Sequence, residues 1–499
     1  VIVASQTISK ASMRRRNAWV IPAGFLWAMG VLLWVLADSP RRWSGQVEVI
    51  GLATTLTALG LIGAGAMSGE LGILTALARL KLGPWMAIGF SLGFGLATLA
   101  WLGDVEGYHG FVTRSSLAPA GALVGAGFLA LVLAYRSTPN MLRHWGSSLD
   151  RSLRGGGTFA SGASRVWTLW GVAMSAEAVG FSRGSFGFLS DPVAALSTTS
   201  SANAVLYALA QMGLLATLVA AWRFAVNRHA GSMALLMWVA GSQVVLGLIS
   251  ASKEGAIIQL VALVVGYSAR GKLRLGPLVL AGLLTLFVVT PFVTAYRTAV
   301  LNGSGRLSPV ESLQSMDFYQ LASGSTAQTD SGSLVASTDR WSRIGDVAII
   351  VEKTPSTIAY ISGSELISGP VLGFVPRSVW PGKPVLDAGY EVNKEYYEVP
   401  GSVHSSAAVT PYGDLYRHGG VWVVIVGMAI LGMFVRTVDD REGAAIQADP
   451  RLMFLPMVLF TTLVKQEMDY LGLTASLVSV ISAAALAARL VSRRTMSSA

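Results

Sequence analysis

The sequence predicts an all-α integral membrane protein with about twelve transmembrane helices and one large extracytoplasmic loop. Three observations carry that prediction. Apolar residues make up 53% of the chain and charged residues 13%, with a mean hydropathy of +0.56, whereas an average soluble domain is roughly 25% charged. Apolar runs long enough for a bilayer, which takes about 20 helical residues, recur along the chain. Between two of them, residues 296–418 form a single long polar segment.

Taken in order, the runs place spans near 18–37, 46–67, 84–103, 117–135, 166–182, 202–222, 231–251, 250–269, 277–295, 419–435, 452–468 and 471–490. The chain therefore divides into a nine-helix part at 1–295, the loop at 296–418 and a three-helix part at 419–499. Arg14-Arg15-Arg16 precede the first run in the manner of a signal peptide. That run exceeds the apolar core of a cleaved leader, about 7–15 residues, and reads as an uncleaved anchor. With the N-terminus inside, 22 of the 37 basic residues fall on the cytoplasmic side and six in short outer connections. The long loop holds the other nine, and long loops translocate largely regardless of charge. Both termini are thus expected inside and the loop outside, with Arg41-Arg42 the clear exception.

Composition also narrows the chemistry. There is no cysteine, which removes disulfides, thiol nucleophiles and Cys-bearing metal sites. The five histidines, at 109, 144, 229, 404 and 418, show no metal-ligand spacing, so a metal held by imidazoles is not expected, and no cofactor is expected either. A formal charge of +10 is explained by the sidedness of the spans and needs no nucleic-acid partner. The basic Ser/Gly stretch at 136–165 reads as a cytoplasmic linker beside anionic headgroups. Its Arg154-Gly155-Gly156-Gly157 lacks the GK[ST] of a phosphate loop.

Some charges fall too deep for lipid. Lys253 and Glu254 begin the eighth span, Glu177 lies within the fifth, and the eleventh run must be completed by Lys465-Gln466-Glu467-Met468-Asp469. A charge at the bilayer centre costs roughly 2.5–3.5 kcal/mol on insertion scales. These residues either line a polar cavity open toward the loop or snorkel to the interface in short hairpins.

Within the loop, 339–352 has helical spacing, which sets Arg340 and Arg343 on one face. Two guanidinium forks can clamp a diphosphate, or they can pair with Asp339 and Asp346. Prolines 376, 381 and 384 stiffen the turn that carries Arg377 and Lys383. Trp380 between them offers an apolar face for a sugar ring, or the turn plugs the bundle. His404, Asp414 and His418 are the candidates for a general base at neutral pH.

Three stretches together carry a likeness. They are Asp339-Arg340-Trp341-Ser342-Arg343, Val375-Pro376-Arg377-Ser378-Val379-Trp380-Pro381-Gly382-Lys383-Pro384, and Asp414-Leu415-Tyr416-Arg417-His418-Gly419. With the large late loop and the Ser252-Lys253-Glu254-Gly255 turn, the chain resembles the bacterial O-antigen and exopolysaccharide repeat-unit polymerases (Wzy-type) over 255–420. The family commonly has Glu where Asp414 stands. The resemblance implies a GT-C-like, metal-independent glycosyltransferase of the bacterial plasma membrane, acting at its outer face on undecaprenyl-diphosphate-linked glycan. A chain-length regulator and a flippase are the implied partners, besides membrane lipid. In that scheme Lys253, Arg297, Arg340, Arg343, Arg377 and Lys383 hold the diphosphate, Trp380 stacks on the glycan, and His404 or Asp414 takes the acceptor proton. A ligase of similar architecture and a lipid-linked oligosaccharide transporter are the competing readings.

Overall fold

The computed structural model describes residues 30, 44–102, 112, 114–154, 158–159, 162–183, 186, 201–250, 252–268, 275–290, 292–293, 296, 342–375, 380, 388–400, 407–440 and 449–493. Seventeen α-helices are used here: α1 (Ser44–Ser68), α2 (Ile73–Ala78), α3 (Leu82–Phe90), α4 (Arg114–Ser137), α5 (Asn140–Arg154), α6 (Ala163–Ser182), α7 (Ser201–Asn227), α8 (Ala230–Ile249), α9 (Lys253–Ser268), α10 (Leu275–Leu284), α11 (Ile344–Lys353), α12 (Ser364–Phe374), α13 (Ala388–Glu395), α14 (Thr410–Arg417), α15 (Gly420–Asp439), α16 (Phe454–Leu463) and α17 (Tyr470–Leu490). The one ladder among the described residues pairs Thr158–Phe159 antiparallel with Ser492–Arg493.

Each expected span from the second to the twelfth overlaps a helix in its described residues, although the eleventh, 452–468, leaves its helix at Leu463; the first lies outside the described residues apart from Gly30. Seven helical stretches are long and apolar enough to cross a membrane: Gln46–Leu71, Leu82–Leu102, Ser115–Ser137, Val205–Asn227, Ala230–Ile249, Gly420–Asp439 and Tyr470–Leu490. Lipid supplies no hydrogen bonds, so helices satisfy their polar groups internally. In α1 the Thr55 and Thr57 hydroxyls donate to the Gly51 and Ala53 carbonyls, each at 2.7 Å. Exposed apolar side chains run in stripes along the outer helices, such as Met233, Met237, Trp238 and Val245 on α8 and Trp422, Val426 and Ile430 on α15. Contiguous apolar surface of this kind calls for a non-aqueous neighbour.

Small residues bring the helices together, the usual device where lipid weakens any hydrophobic drive between them. At Gly432 of α15 a Cβ would lie 2.2 Å from the Leu131 carbonyl oxygen of α4. Only glycine permits that approach. At the ends of α15 and α3, buried Asp439 accepts from the Leu82 and Gly83 N–H groups at 2.7 and 2.8 Å and from the Tyr135 hydroxyl at 3.0 Å. It satisfies donors that the first turn of α3 leaves orphaned.

The described parts of the 296–418 segment are built into the bundle. Ile344, Val347, Ala348, Ile349 and Ile350 of α11 are buried in the main core, and α11 packs on α4 and α14. The sequence spacing placed a helix over 339–352; the helix begins at Ile344 instead. The residues before it are pinned to the third span: the Trp101 indole N–H donates to the Ser342 hydroxyl at 3.0 Å, and the Arg343 N–H donates to the Gly93 carbonyl at 3.1 Å. Those bonds hold Arg343 at the helix entry rather than on a helical face. The expected overlap of the seventh and eighth spans resolves into α8 ending at Ile249 and α9 starting at Lys253.

Candidate functional site

Two polar clusters lie where the loop helices meet the bundle. The first is on α14 and the turn that follows it. The pair Gly419 and Gly420 adopts φ of +149° and +77°, conformations that L side chains rarely take, and so turns the chain between α14 and α15. That turn leaves Asp414, Arg417 and His418 buried, although all three are polar.

Their partners are specific. His418 Nδ1 lies 2.8 Å from the Asp414 backbone carbonyl and 3.7 Å from Asp414 Oδ1. Asp414 Oδ2 accepts from the Leu471 N–H at 3.2 Å. Arg417 reaches Glu391 at 3.2 Å and Asp414 at 3.9 Å, and its guanidinium sits 5.7 Å from the centroid of the Tyr396 ring. Glu365 stands 3.6 Å from His418 Nε2. The side chains of Glu365 and Glu391 are 53% and 54% exposed, against 1–2% for the three they cover. Burial pushes the Asp414 carboxyl above its usual range, opposed by His418 and Arg417.

Three buried polar atoms in this cluster make no hydrogen bond: Asp414 Oδ1, Arg417 Nε and His418 Nε2. Buried polar groups are nearly always satisfied, and three atoms without a hydrogen bond within five residues set this cluster apart as a candidate site. The Asp414 carbonyl can only accept, so Nδ1 of a neutral His418 carries the proton and Nε2 presents a lone pair. That is the tautomer a general base requires.

The second cluster is a charge ladder. Glu254 at the start of α9 pairs with Lys465, and Lys465 reaches Glu467 at 3.4 Å. Glu467 pairs with Arg343, which lies 3.9 Å from Asp346, and Asp346 accepts from the Tyr397 hydroxyl at 3.0 Å. Burial lifts the Asp346 carboxyl to about 7, against the pull of Arg343. The ladder connects the deep charges Glu254, Lys465 and Glu467 with Arg343 and Asp346 of the loop, so these five residues act on one another across a shared polar seam.

Of the residues that the sequence singled out, Asp414 and His418 come together, and Arg343 and Glu254 are joined through Lys465 and Glu467. Lys253 is half-buried at the start of α9 and Trp380 is exposed. Arg297, Arg340, Arg377, Lys383 and His404 lie outside the described residues. Sequence reasoning passed over Arg417, whose side chain is 1% exposed. Its position between Asp414 and His418 in the exit motif was the available signal.

A family model described as a domain of unknown function, DUF8712, matches residues 186–444, just over half of the chain. The chain belongs to the DUF8712 family. No curated protein and no solved structure matches it. The DUF8712 region contains Glu254, Arg343, Glu365, Glu391, Asp414, Arg417 and His418. Lys465, Glu467 and the Leu471 N–H that complete both clusters come from beyond its end, so the DUF8712 segment depends on α16 and α17 to close its polar sites.

Proposed function

We propose that this DUF8712 protein is a glycosyltransferase that polymerises undecaprenyl-diphosphate-linked oligosaccharide units at the outer face of a bacterial plasma membrane. The observation that carries the reading is the buried Nε2 of His418, which makes no hydrogen bond and stands 3.6 Å from Glu365, beside the Asp414 carboxyl at the entry of α15. In the proposed step an acceptor hydroxyl attacks the anomeric carbon of the donor glycan. The new glycosidic C–O bond forms as the bond to the lipid diphosphate breaks, and that bond's electron pair leaves on the diphosphate. His418 Nε2 takes the hydroxyl proton. Asp414 Oδ1, 3.7 Å from Nδ1, stabilises the imidazolium that results.

Charge developing on the diphosphate calls for preorganised cations. The reading assigns that work to Lys253 and Arg343 with Arg297, Arg340, Arg377 and Lys383, and gives Trp380 the glycan-stacking role. The architecture belongs to the same proposal: twelve spans in a GT-C-like arrangement, with termini inside and the 296–418 segment outside. The seven long apolar helices and the helices at the other expected spans are compatible with it.

The test is to incubate the purified full-length protein with lipid-diphosphate-linked repeat unit and resolve the products on a gel. A ladder of multiples supports polymerisation. A single transfer to a different lipid makes the protein a ligase, and the absence of any covalent product from the folded, purified protein favours transport.

A further inference from the structure

A cavity of about 350 Å³ opens among α6, α7, α8 and α9, outside the cluster around His418. It is far larger than the roughly 30 Å³ share of one water and falls in the range of about 300–1,000 Å³ that small-molecule sites occupy. Its polar lining comes from Glu177, Gln211, Gln243, Gln259 and Glu254, with serine hydroxyls at the α8–α9 turn. Its aromatic wall is Phe181, Phe186 and Tyr207, with the Phe186 and Tyr207 ring centroids 4.6 Å apart.

The polar side is organised in one direction. The Thr217 hydroxyl donates to Gln259 Oε1 at 2.8 Å, Gln259 Nε2 donates to Gln243 Oε1 at 3.4 Å, and Gln243 Nε2 donates to Glu177 Oε2 at 3.3 Å. Thr217, Gln243 and Gln259 are all buried. Gly213 leaves the space for Gln243: a Cβ there would fall 2.2 Å from Gln243 Oε1. A buried chain of amides is costly unless every member is satisfied, and this one ends by orienting a carboxylate at a cavity wall.

Carboxylates and carboxamides accept from and donate to paired hydroxyls, and aromatic faces take the apolar side of a ring. Among the described residues the lining holds two carboxylates and no Lys or Arg; Glu254 is already paired with Lys465, whose ladder leads away to further cations, so Glu177, held by Gln243 at the wall, is the group that disfavours an anion. We propose that this cavity is a sugar-ring subsite that takes an uncharged or amine-bearing residue and rejects uronic acids. Its place in the reaction rests on the glycan-transfer reading; its chemical preference follows from the lining alone.

The experiment is saturation-transfer NMR on the full-length protein in micelles with free monosaccharides: glucose, galactose and mannose as neutral probes, glucosamine as the cationic one and glucuronate as the anionic one. The expected result is transfer to glucosamine and at least one neutral hexose, with glucuronate bound at least about tenfold more weakly. Glu177→Gln should narrow the glucosamine-to-glucuronate difference several-fold, and Gln211→Leu should weaken the neutral hexose. Glucuronate bound as well as the neutral probes overturns the proposal. So does transfer unchanged in both variants, or stabilisation by sodium alone with no sugar bound. The two readings fail separately: sugar discrimination without covalent product removes the polymerase reading only, and polymer formation without discrimination removes the subsite only.

Discussion

His418 Nδ1 stands 2.8 Å from the backbone carbonyl oxygen of Asp414, one helical turn earlier in the chain. That contact assigns the proton of the neutral ring to Nδ1 and leaves a lone pair on the buried Nε2, which makes no hydrogen bond and lies 3.6 Å from Glu365. Replacing His418 with Asn keeps a donor for the carbonyl and removes the base. His418→Asn is therefore expected to lower glycan transfer by about 10²–10⁴-fold while the protein inserts and unfolds as the parent does. Turnover with lipid-linked repeat unit checks this; a parent-like rate in the variant would remove His418 from the reaction.

Gly420 turns α14 into α15 with φ of +77°, and an added Cβ would sit 3.0 Å from the Tyr360 hydroxyl oxygen. A non-glycine residue in this region costs on the order of 1–3 kcal/mol. Gly420→Ala should thus shift His418 and reduce transfer more than it reduces thermal stability. Equal losses in both measurements would show that the turn serves folding alone.

Asp346 supplies a pH signature. Its folded carboxyl titrates at about 7 because of burial, above an unfolded value of about 3.9. Between those two values the folded chain retains a proton that the unfolded chain has lost, so this group makes stability fall as pH rises through that window. Asp346→Asn should flatten the decline. Thermal unfolding in micelles from pH 4 to pH 7 measures it, and identical slopes in parent and variant would contradict the assignment.

Arg343 and Glu467 are paired although 124 positions apart in the chain. A double-mutant cycle with Arg343→Gln and Glu467→Gln should return a coupling of about 0.5–3 kcal/mol. The lower half of that range is the better expectation, since the Glu467 side chain is 32% exposed and solvent screens the pair. Additive effects of the two substitutions would show that the pair contributes nothing.

Asp439 accepts three hydrogen bonds while 1% exposed. Asp439→Ala strands the Leu82 and Gly83 N–H groups and the Tyr135 hydroxyl, and should destabilise the fold by about 3 kcal/mol or more. The unfolding midpoint in micelles reports it. A shift below about 1 kcal/mol would mean that water replaces the carboxylate at the start of α3.

Hydropathy alone determined the helical class, the order of the apolar helices and the position of the long polar segment, because a run such as Leu82–Leu102 is a local property that lipid reads directly. The exit motif was legible for the same reason: Asp414 and His418 are four residues apart, and helical spacing makes such residues neighbours. Helical periodicity over 339–352 was misleading about Arg343, since bonds from Ser342 and Arg343 to the third span decide where α11 begins. Only the tertiary structure could pair Glu254 with Lys465, seat Leu471 N–H on Asp414, or line up Thr217, Gln259, Gln243 and Glu177 beside one cavity. Those contacts join distant segments, and no periodicity within a helix encodes which face of another helix it will meet.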